Sequence, residues 1–384
     1  MTGYLRSVLV VHGSAELYGS DRTLLESVRA MVGHGAAVTV ALPCDGPLAG
    51  PLRQAGAVVE VAPTAVVRKS ALSVPGVLRL VACALRVAPG HLALLRRCAP
   101  QLLYVNTVIV PLWIPLARLL GIRVVCHVHE AEDGVPRQVA RALVLPLLLA
   151  HAVVANSRTA REVLLRSWPR LAGRVEVVYN GVPGPTAAPV SLPEQAPQEL
   201  RLVLVGRLSH RKGTDVAVAA ALALRAGGLP VRLQLVGSAA PGMADLERDL
   251  RRAAEASGGC ITLAGFQEDV WPCLAAAHVV LVPSRLEPFG NVAVEAALAR
   301  RPVVVSGVQG LREIVRDGAT GLVVPPDDPG ALAAAVRRLH ADWPTTRRLA
   351  ADAEADATAR FGVRRYATEL IAVLETALGR NQRV

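Results

Sequence analysis

Residues 182–213 read VPGPTAAPVSLPEQAPQELRLVLVGRLSHRKG. The stretch up to residue 200 holds five prolines and no helical or strand period, which marks a linker. At residue 201 an apolar, β-branched run restarts abruptly and ends on a glycine, as a buried strand entering a loop does. The same alternation of short apolar runs and longer helical patterns fills the chain on both sides of this break. Before it, strands are expected near residues 7–12, 38–42, 58–61, 102–106, 123–128, 152–155 and 175–179. After it they are expected near 201–205, 231–236, 260–264, 279–282, 302–305 and 320–324. Helices fill the intervals, for example 21–32 and 158–166. Such alternation belongs to βα units and parallel sheets, and a length of 384 residues suits two domains.

The expected architecture is α/β, with two Rossmann-like, doubly wound parallel-sheet lobes facing a central cleft. These are residues 1–181 and 201–341, joined by the Pro-rich linker 182–200. Residues 342–384 read as C-terminal helices packing back toward the first lobe, with Phe361, Tyr366, Leu370 and Leu374 as a core-facing stripe. Ligands of such sheets sit beyond the carboxyl ends of the strands, so the loops at those ends carry the search for function.

Composition narrows the partners. The net charge of +11 favours phosphates, anionic lipid or nucleic acid, but aromatics make up only 3% of the chain, too few to stack bases along a basic groove. Nucleic acid is therefore not an expected partner. Only Lys69 and Lys212 are lysines among 42 basic residues, a skew spread over the whole length, so a retained lysine marks a candidate for specific chemistry. Cys44, Cys83, Cys98, Cys126, Cys260 and Cys273 are too widely spaced for a CxxC pair or a zinc set. Free, buried thiols in a reducing, cytoplasmic compartment are expected. The N-terminus runs straight into a strand with no signal-peptide pattern. The apolar stretches 77–95 and 142–155 are respectively interrupted by Arg79, Arg86 and Pro89 and too short, so neither is expected to span a membrane.

Two loops in the second lobe concentrate chemistry. In the first, a strand ends at Gly206, the loop carries Arg207, His210, Arg211 and Lys212, and Gly213 opens a helix whose free amides and dipole favour anions. Arg207 and Lys212 could grip the two phosphates of a diphosphate; a solvated basic turn is the plainer alternative. In the second, residues 282–295 read VPSRLEPFGNVAVE. Glu287 lies in the loop, Phe289, Gly290 and Asn291 start a helix with free amides, and Glu295 stands in its second turn, where a carboxylate can accept both hydroxyls of a ribose. An ordinary acidic helix start fits this stretch equally well. Neither lobe has the glycine turn of a dinucleotide enzyme or a Walker motif, which disfavours dehydrogenases and ATPases. Asp327 and Asp328 read as helix caps rather than metal ligands.

In the first lobe, residues 12–21 form a loop into a helix, with Gly19 and Ser20 offering amides at its entrance. His127 and His129 share one face of a strand; His129, at the end, is the ligand candidate and His127 a buried core histidine. Asn106, Asn156 and Asn180 fall at strand ends, where turn roles suit them as well as ligand contacts. The stretch 66–97 alternates apolar residues with Arg68, Lys69, Arg79, Arg86, Arg96 and Arg97, the pattern of either a solvated helix face or a peripheral contact with an anionic membrane.

Together GRLSHRKG, LVGS, ITLAGF, EPFGNVAVE and DGATGLVVPPDD in the second lobe, with VHE, ANS and YNGV in the first, resemble the family 4 glycosyltransferases, retaining enzymes of the GT-B fold. The first loop departs from that family's paired glycine, reading YGSDR at residues 18–22. The resemblance implies metal-independent transfer of a hexosyl-type sugar from a UDP- or GDP-sugar to a hydroxyl of a glycan, lipid-linked or natural-product acceptor. No cofactor beyond that donor and no metal is implied. Arg207 and Lys212 resemble the pair neutralising the donor diphosphate, Glu295 the ribose ligand, and Glu287 the carboxylate beside the transferred sugar. Gly19 and Ser20, with Phe289, Gly290 and Asn291, match amide-rich donor contacts, His129 the histidine near the reacting carbon, and Phe266 a neighbour of the base. The alternatives are a relative doing other chemistry at the anomeric carbon, such as a sugar-nucleotide epimerase or a pseudoglycosyltransferase, and a catalytically silent nucleotide-sugar-binding scaffold.

Overall fold

The computed structural model describes residues 4–67, 74–130, 137–239 and 242–379. It divides into two compact units, one running to Gly181 and resuming at Val363, the other spanning Val182–Gly362.

The first unit holds seven strands: β1 (Ser7–Val11), β2 (Ala37–Leu42), β3 (Val58–Val61), β4 (Leu102–Val105), β5 (Arg123–Val128), β6 (Ala152–Ala155) and β7 (Val175–Val177). All pair in parallel in the order β3-β2-β1-β4-β5-β6-β7. Because side chains alternate across a strand, Val8 and Val10 enter one core while Leu9 and Val11 enter the core on the opposite face. That is why these runs carry no polar alternation. The order reverses between β1 and β4, so the strand ends there open onto the place where doubly wound sheets hold ligands.

The second unit has six parallel strands, β8 (Leu200–Val205), β9 (Val231–Val236), β10 (Ile261–Gly265), β11 (Val279–Val282), β12 (Val303–Ser306) and β13 (Leu322–Val324). Their order is β10-β9-β8-β11-β12-β13, reversing between β8 and β11.

Three boundaries differ from the sequence expectation. Residues 182–200 are seated on the second unit rather than hanging as a linker. Leu192 is in its core, buried Arg301 donates to Val190 O at 2.8 Å, and Trp343 Nε1 donates to Pro193 O at 2.9 Å. Prolines lack N–H donors, but their carbonyls still accept. The C-terminal stripe splits at Gly362: helix Trp343–Phe361 ends in the second unit, while Tyr366, Leu370 and Leu374 of helix Val363–Gly379 enter the core of the first. Burying each of those side chains is worth about 1.5–3 kcal/mol. Finally, the apolar stretch from residue 77 is not broken at Pro89. Helix Val74–Cys98 runs through it, and Pro75–Cys98 is long and apolar enough to cross a membrane.

All six cysteines are free, but only Cys126 and Cys260 are buried; Cys44 and Cys83 are exposed, and the other two are half-buried. The expectation of six buried thiols fails at these four, because a thiol is small enough to sit on a helix, as Cys83, Cys98 and Cys273 do, or after a strand, as Cys44 does, at little cost.

Candidate functional site

In the second unit, two loops at the switch point between β8 and β11 meet. After Gly206 the chain turns through a short 3-10 segment, His210–Lys212, whose entry is capped by Ser209 and whose exit is Gly213 at φ 66°. A Cβ on Gly213 would lie 1.9 Å from Pro283 O, so the backbone of this loop is pressed against the end of β11. The second loop answers from the other side. Arg285 N donates to Arg211 O at 2.8 Å, and the Arg285 guanidinium makes a forked pair with Asp215 at 2.8 and 2.7 Å while its Nε reaches Asp327 at 3.0 Å. The hydrogen bonds of Asp215 push the already high guanidinium pKa further up.

That clamp brings Lys212 Nζ to 2.5 Å from Glu287 Oε2. Glu287 is buried, Ser284 donates to the same oxygen at 3.1 Å, and the Glu287 amide donates to Gln309 Oε1 at 2.9 Å. Gly290, at φ 122°, precedes helix Asn291–Leu298; a Cβ there would come within 2.5 Å of Leu311. Glu295 is buried on that helix, and Arg207 is half-buried beyond β8. The Phe289 side chain is not in a position to meet a ligand: it is 3% exposed and packs edge-on against Phe361 at 5.6 Å, leaving only its backbone. Phe266 is 44% exposed. Of the expected caps, Asp328 receives Ala331 N at 2.8 Å, whereas Asp327 serves Arg285 instead. Arg285 and Asp215 were not singled out from sequence, because nothing in a run of arginines says which one is forked.

In the first unit, Gly19 and Ser20 open helix Gly19–Gly33, and Asp21 caps it by receiving Tyr18 N at 2.9 Å. The other oxygen of Asp21 lies 2.7 Å from His12 Nε2. Asn106 Nδ2 is 3.3 Å from His12 Nδ1, and Asn106 Oδ1 is 3.0 Å from His129 Nε2. His127 is fully buried and bonds Tyr104 OH at 2.6 Å; burial lowers its pKa to about 3. The His129 ring lies 4.0 Å from that of His127, and burial, followed by the charges His127 and His12 would carry, holds it well below the usual range. Nothing in the sequence connects Asp21, His12 and Asn106 to His129, since Asp21 lies in a helix and the other three follow three different strands. Asn156 and Asn180 are buried at theirs. No cluster of three metal-ligating side chains occurs among the described residues.

Comparison with known proteins bears on both units. A family model described as Glycosyl transferases group 1 matches residues 199–342, and one described as Glycosyltransferase Family 4 matches residues 18–183. The chain is 31% identical over 296 residues to D-inositol 3-phosphate glycosyltransferase 1 of Catenulispora acidiphila, covering 68% of this chain and 69% of that one. This chain belongs to glycosyltransferase family 4. It is also 33% identical over 248 residues to the D-inositol 3-phosphate glycosyltransferase of Nocardioides, but the match spans only 54% of that protein's length. Among solved structures, Anabaena HepE superposes with a TM-score of 0.80 at 24% identity, covering 96% of this chain and 99% of that one. The family 4 chain thus has the GT-B fold.

Proposed function

We propose that the chain is a retaining glycosyltransferase that moves a hexosyl-type sugar from a UDP- or GDP-sugar to a hydroxyl of a glycan, lipid-linked or natural-product acceptor, without metal. The observation that carries this reading is the clamp that sets Lys212 against Glu287 beyond the ends of β8 and β11. An ammonium has three N–H donors, and Glu287 takes one. The others, with the Arg207 guanidinium, suit the oxygens of a diphosphate leaving group. In the reaction the bond from the anomeric carbon to the diphosphate oxygen breaks. The acceptor oxygen bonds the same face of that carbon, and the acceptor proton passes to the departing phosphate, so no separate base is needed. Fixed cations lower this barrier by stabilising the charge that develops on the leaving group. Glu295 would accept the ribose hydroxyls, the amides at Gly290, Asn291, Gly19 and Ser20 would meet phosphate or sugar, His129 would contact the sugar, and Phe266 the base. The HepE structures hold UDP with glucose, or UDP-glucose, which favours the UDP arm. Free thiols fit a cytoplasmic setting.

A panel of nucleotide sugars, read by thermal shift and slow donor hydrolysis, tests the donor. Lys212→Ala or Glu287→Ala should lower turnover about a hundredfold to a thousandfold while the protein stays folded. Full turnover by both variants would refute the assignment, and donor binding with no turnover on any acceptor would indicate a scaffold.

For the acceptor side, we propose that helix Val74–Cys98 rests on an anionic membrane. Val77, Val81, Leu78 and Leu85 are 47–72% exposed and follow one another at helical spacing, with Arg79 and Arg86 at the border of the stripe. No acidic residue occurs from residue 61 to residue 129. Arg68 and Lys69 lie outside the described residues. The helix would lie on the bilayer rather than cross it, because its last turns are fixed in the protein by buried His91, Leu94 and Leu95. Vesicles of phosphatidylglycerol should sediment the protein at low salt, and Leu78→Ser with Leu85→Ser should release it; no binding at low salt would end this idea.

A further inference from the structure

The bonding at the ends of β1, β4 and β5 has a direction. A carboxylate only accepts hydrogen bonds. Asp21 receives Tyr18 N–H on one oxygen, so the 2.7 Å contact on the other requires that His12 carry its proton on Nε2. The opposite nitrogen of His12 faces the Asn106 amide nitrogen, which can only donate, at 3.3 Å, so it accepts there. That fixes the Asn106 amide with its oxygen toward His129, 3.0 Å away, where it can only accept. His129 must therefore hold its single proton on Nε2. Its Nδ1 is left as a lone pair, buried and without a partner among the described residues. His12, Asp21 and Asn106 are each no more than 3% exposed, so water does not compete at the two bonds of the His12 ring.

We propose that Asp21, His12 and Asn106 are positioning residues that lock His129 in the Nε2–H tautomer, so that Nδ1 accepts a hydrogen bond from a hydroxyl of the transferred sugar. This rests on the reading of His129 given under Proposed function. A buried acceptor left unpaired is destabilising, and an arriving sugar hydroxyl would remove that cost. A group that only accepts, such as a phosphate oxygen, would not. Burial keeps both His129 and the tilted ring of His127 beside it neutral, which preserves the lone pair. The location is also suitable, because β1 and β4 flank the point where the strand order reverses.

The lock has an identifiable failure mode. Asp21→Asn has one acceptor oxygen where two are needed, for Tyr18 N–H and for His12. With the oxygen kept on the helix cap, the new amide nitrogen faces His12 and moves its proton to Nδ1. Asn106 must then turn over, and His129 is left with its proton on Nδ1 and no acceptor for the sugar.

The test is nitrogen NMR of full-length protein labelled at histidine, with the His129 signals assigned by their loss in His129→Gln. Wild type should show protonated Nε2. Asp21→Asn should shift His129 toward protonated Nδ1, Asn106→Ala should give a mixture, and kcat/KM for the donor should fall about a hundredfold in each with the melting transition retained. An unchanged tautomer in both folded variants overturns the inference, and so does a shifted tautomer with donor kinetics untouched. A wild type that turns over no donor, while Asp21→Asn still shifts the tautomer, defeats the glycosyltransferase reading and leaves the lock supported by the spectra.

Discussion

At the switch point of the first unit, the candidate residues are joined by hydrogen bonds through buried imidazole and amide groups, and one carboxylate sets the direction of all of them. At the switch point of the second, two loops are joined by ion pairs whose side chains, buried Glu287 apart, are partly exposed, and by one backbone bond. The contrast teaches where each kind of precision comes from. A chain of amides and imidazoles has no strong Coulomb energy but admits only one arrangement of protons. Ion pairs supply charge for a phosphate, but at partial exposure each is worth little, so position there must come from the backbone.

Gly213 is where the backbone sets that position, and replacing it should give the largest effect on stability. A Cβ there would overlap Pro283 O in a left-handed conformation, so Gly213→Ala should cost about 3 kcal/mol or more, near the top of the range for single substitutions. Gly228, also at positive φ but with nothing within 4 Å, should cost only about 1 kcal/mol as alanine. Chemical denaturation of the two variants compares them directly. Equal losses would mean that the Lys212 loop is not held by contact with β11.

Sequence made the alternation of strands and helices legible because strands buried on both faces leave runs such as VLVV and VVLV that little else produces. The same reasoning placed Lys212 and Glu287 beyond strand ends, where Lys212 stands out as one of two lysines in an Arg- and Ala-rich background and Glu287 as the loop carboxylate ahead of the helix that carries Glu295. It did not reveal the clamp. Which arginine forks onto Asp215 depends on loop geometry, and Arg211 and Arg285 are alike as letters. Nor did it show that Phe289 turns inward against Phe361, or that residues 182–200 lie on the second unit, because a Pro-rich run looks like a linker whether or not its carbonyls are used. The positions of His12, Asp21, Asn106 and His129 each read as plausible turn or ligand sites; their connection exists only once β1, β4 and β5 are adjacent.

Acid should separate the two sites. The pKa of His127 is lowered to about 3 in the folded state, so the unfolded state binds its proton first and stability falls as pH drops below about 6.5, by roughly 2 kcal/mol at pH 5. His278 in the second unit, held at about 4 by burial and then by Arg201 and Arg301, weakens that unit over a similar range but lies away from the loops. Within the second site, burial tends to raise the Asp215 pKa, but the Arg285 bonds prevail and lower it, so that pair persists until pH falls below the ordinary aspartate range. Hydrogen exchange, corrected for its intrinsic pH dependence, should therefore show the Tyr18 amide losing protection between pH 7 and 5 relative to the Arg285 amide. Parallel loss at both would erase the distinction.

The smallest effect is expected from Arg285→Lys, and salt is what makes it informative. Lysine keeps the charge but not the fork, so the paired bonds to Asp215 reduce to a single contact. The guanidinium is 28% exposed, and the backbone bond from residue 285 to Arg211 O survives the change. The loss should therefore be about 1 kcal/mol or less. Raising salt until the screening length falls from about 8 Å to about 3 Å should shrink the difference between wild type and variant. Asn106→Ala, which breaks a chain of amide and imidazole bonds, should lose as much at high salt as at low. If Arg285→Lys instead disrupted donor binding at every salt concentration, the fork rather than the backbone would be setting the Lys212 loop, and the second site would be held by directional bonds much as the first is.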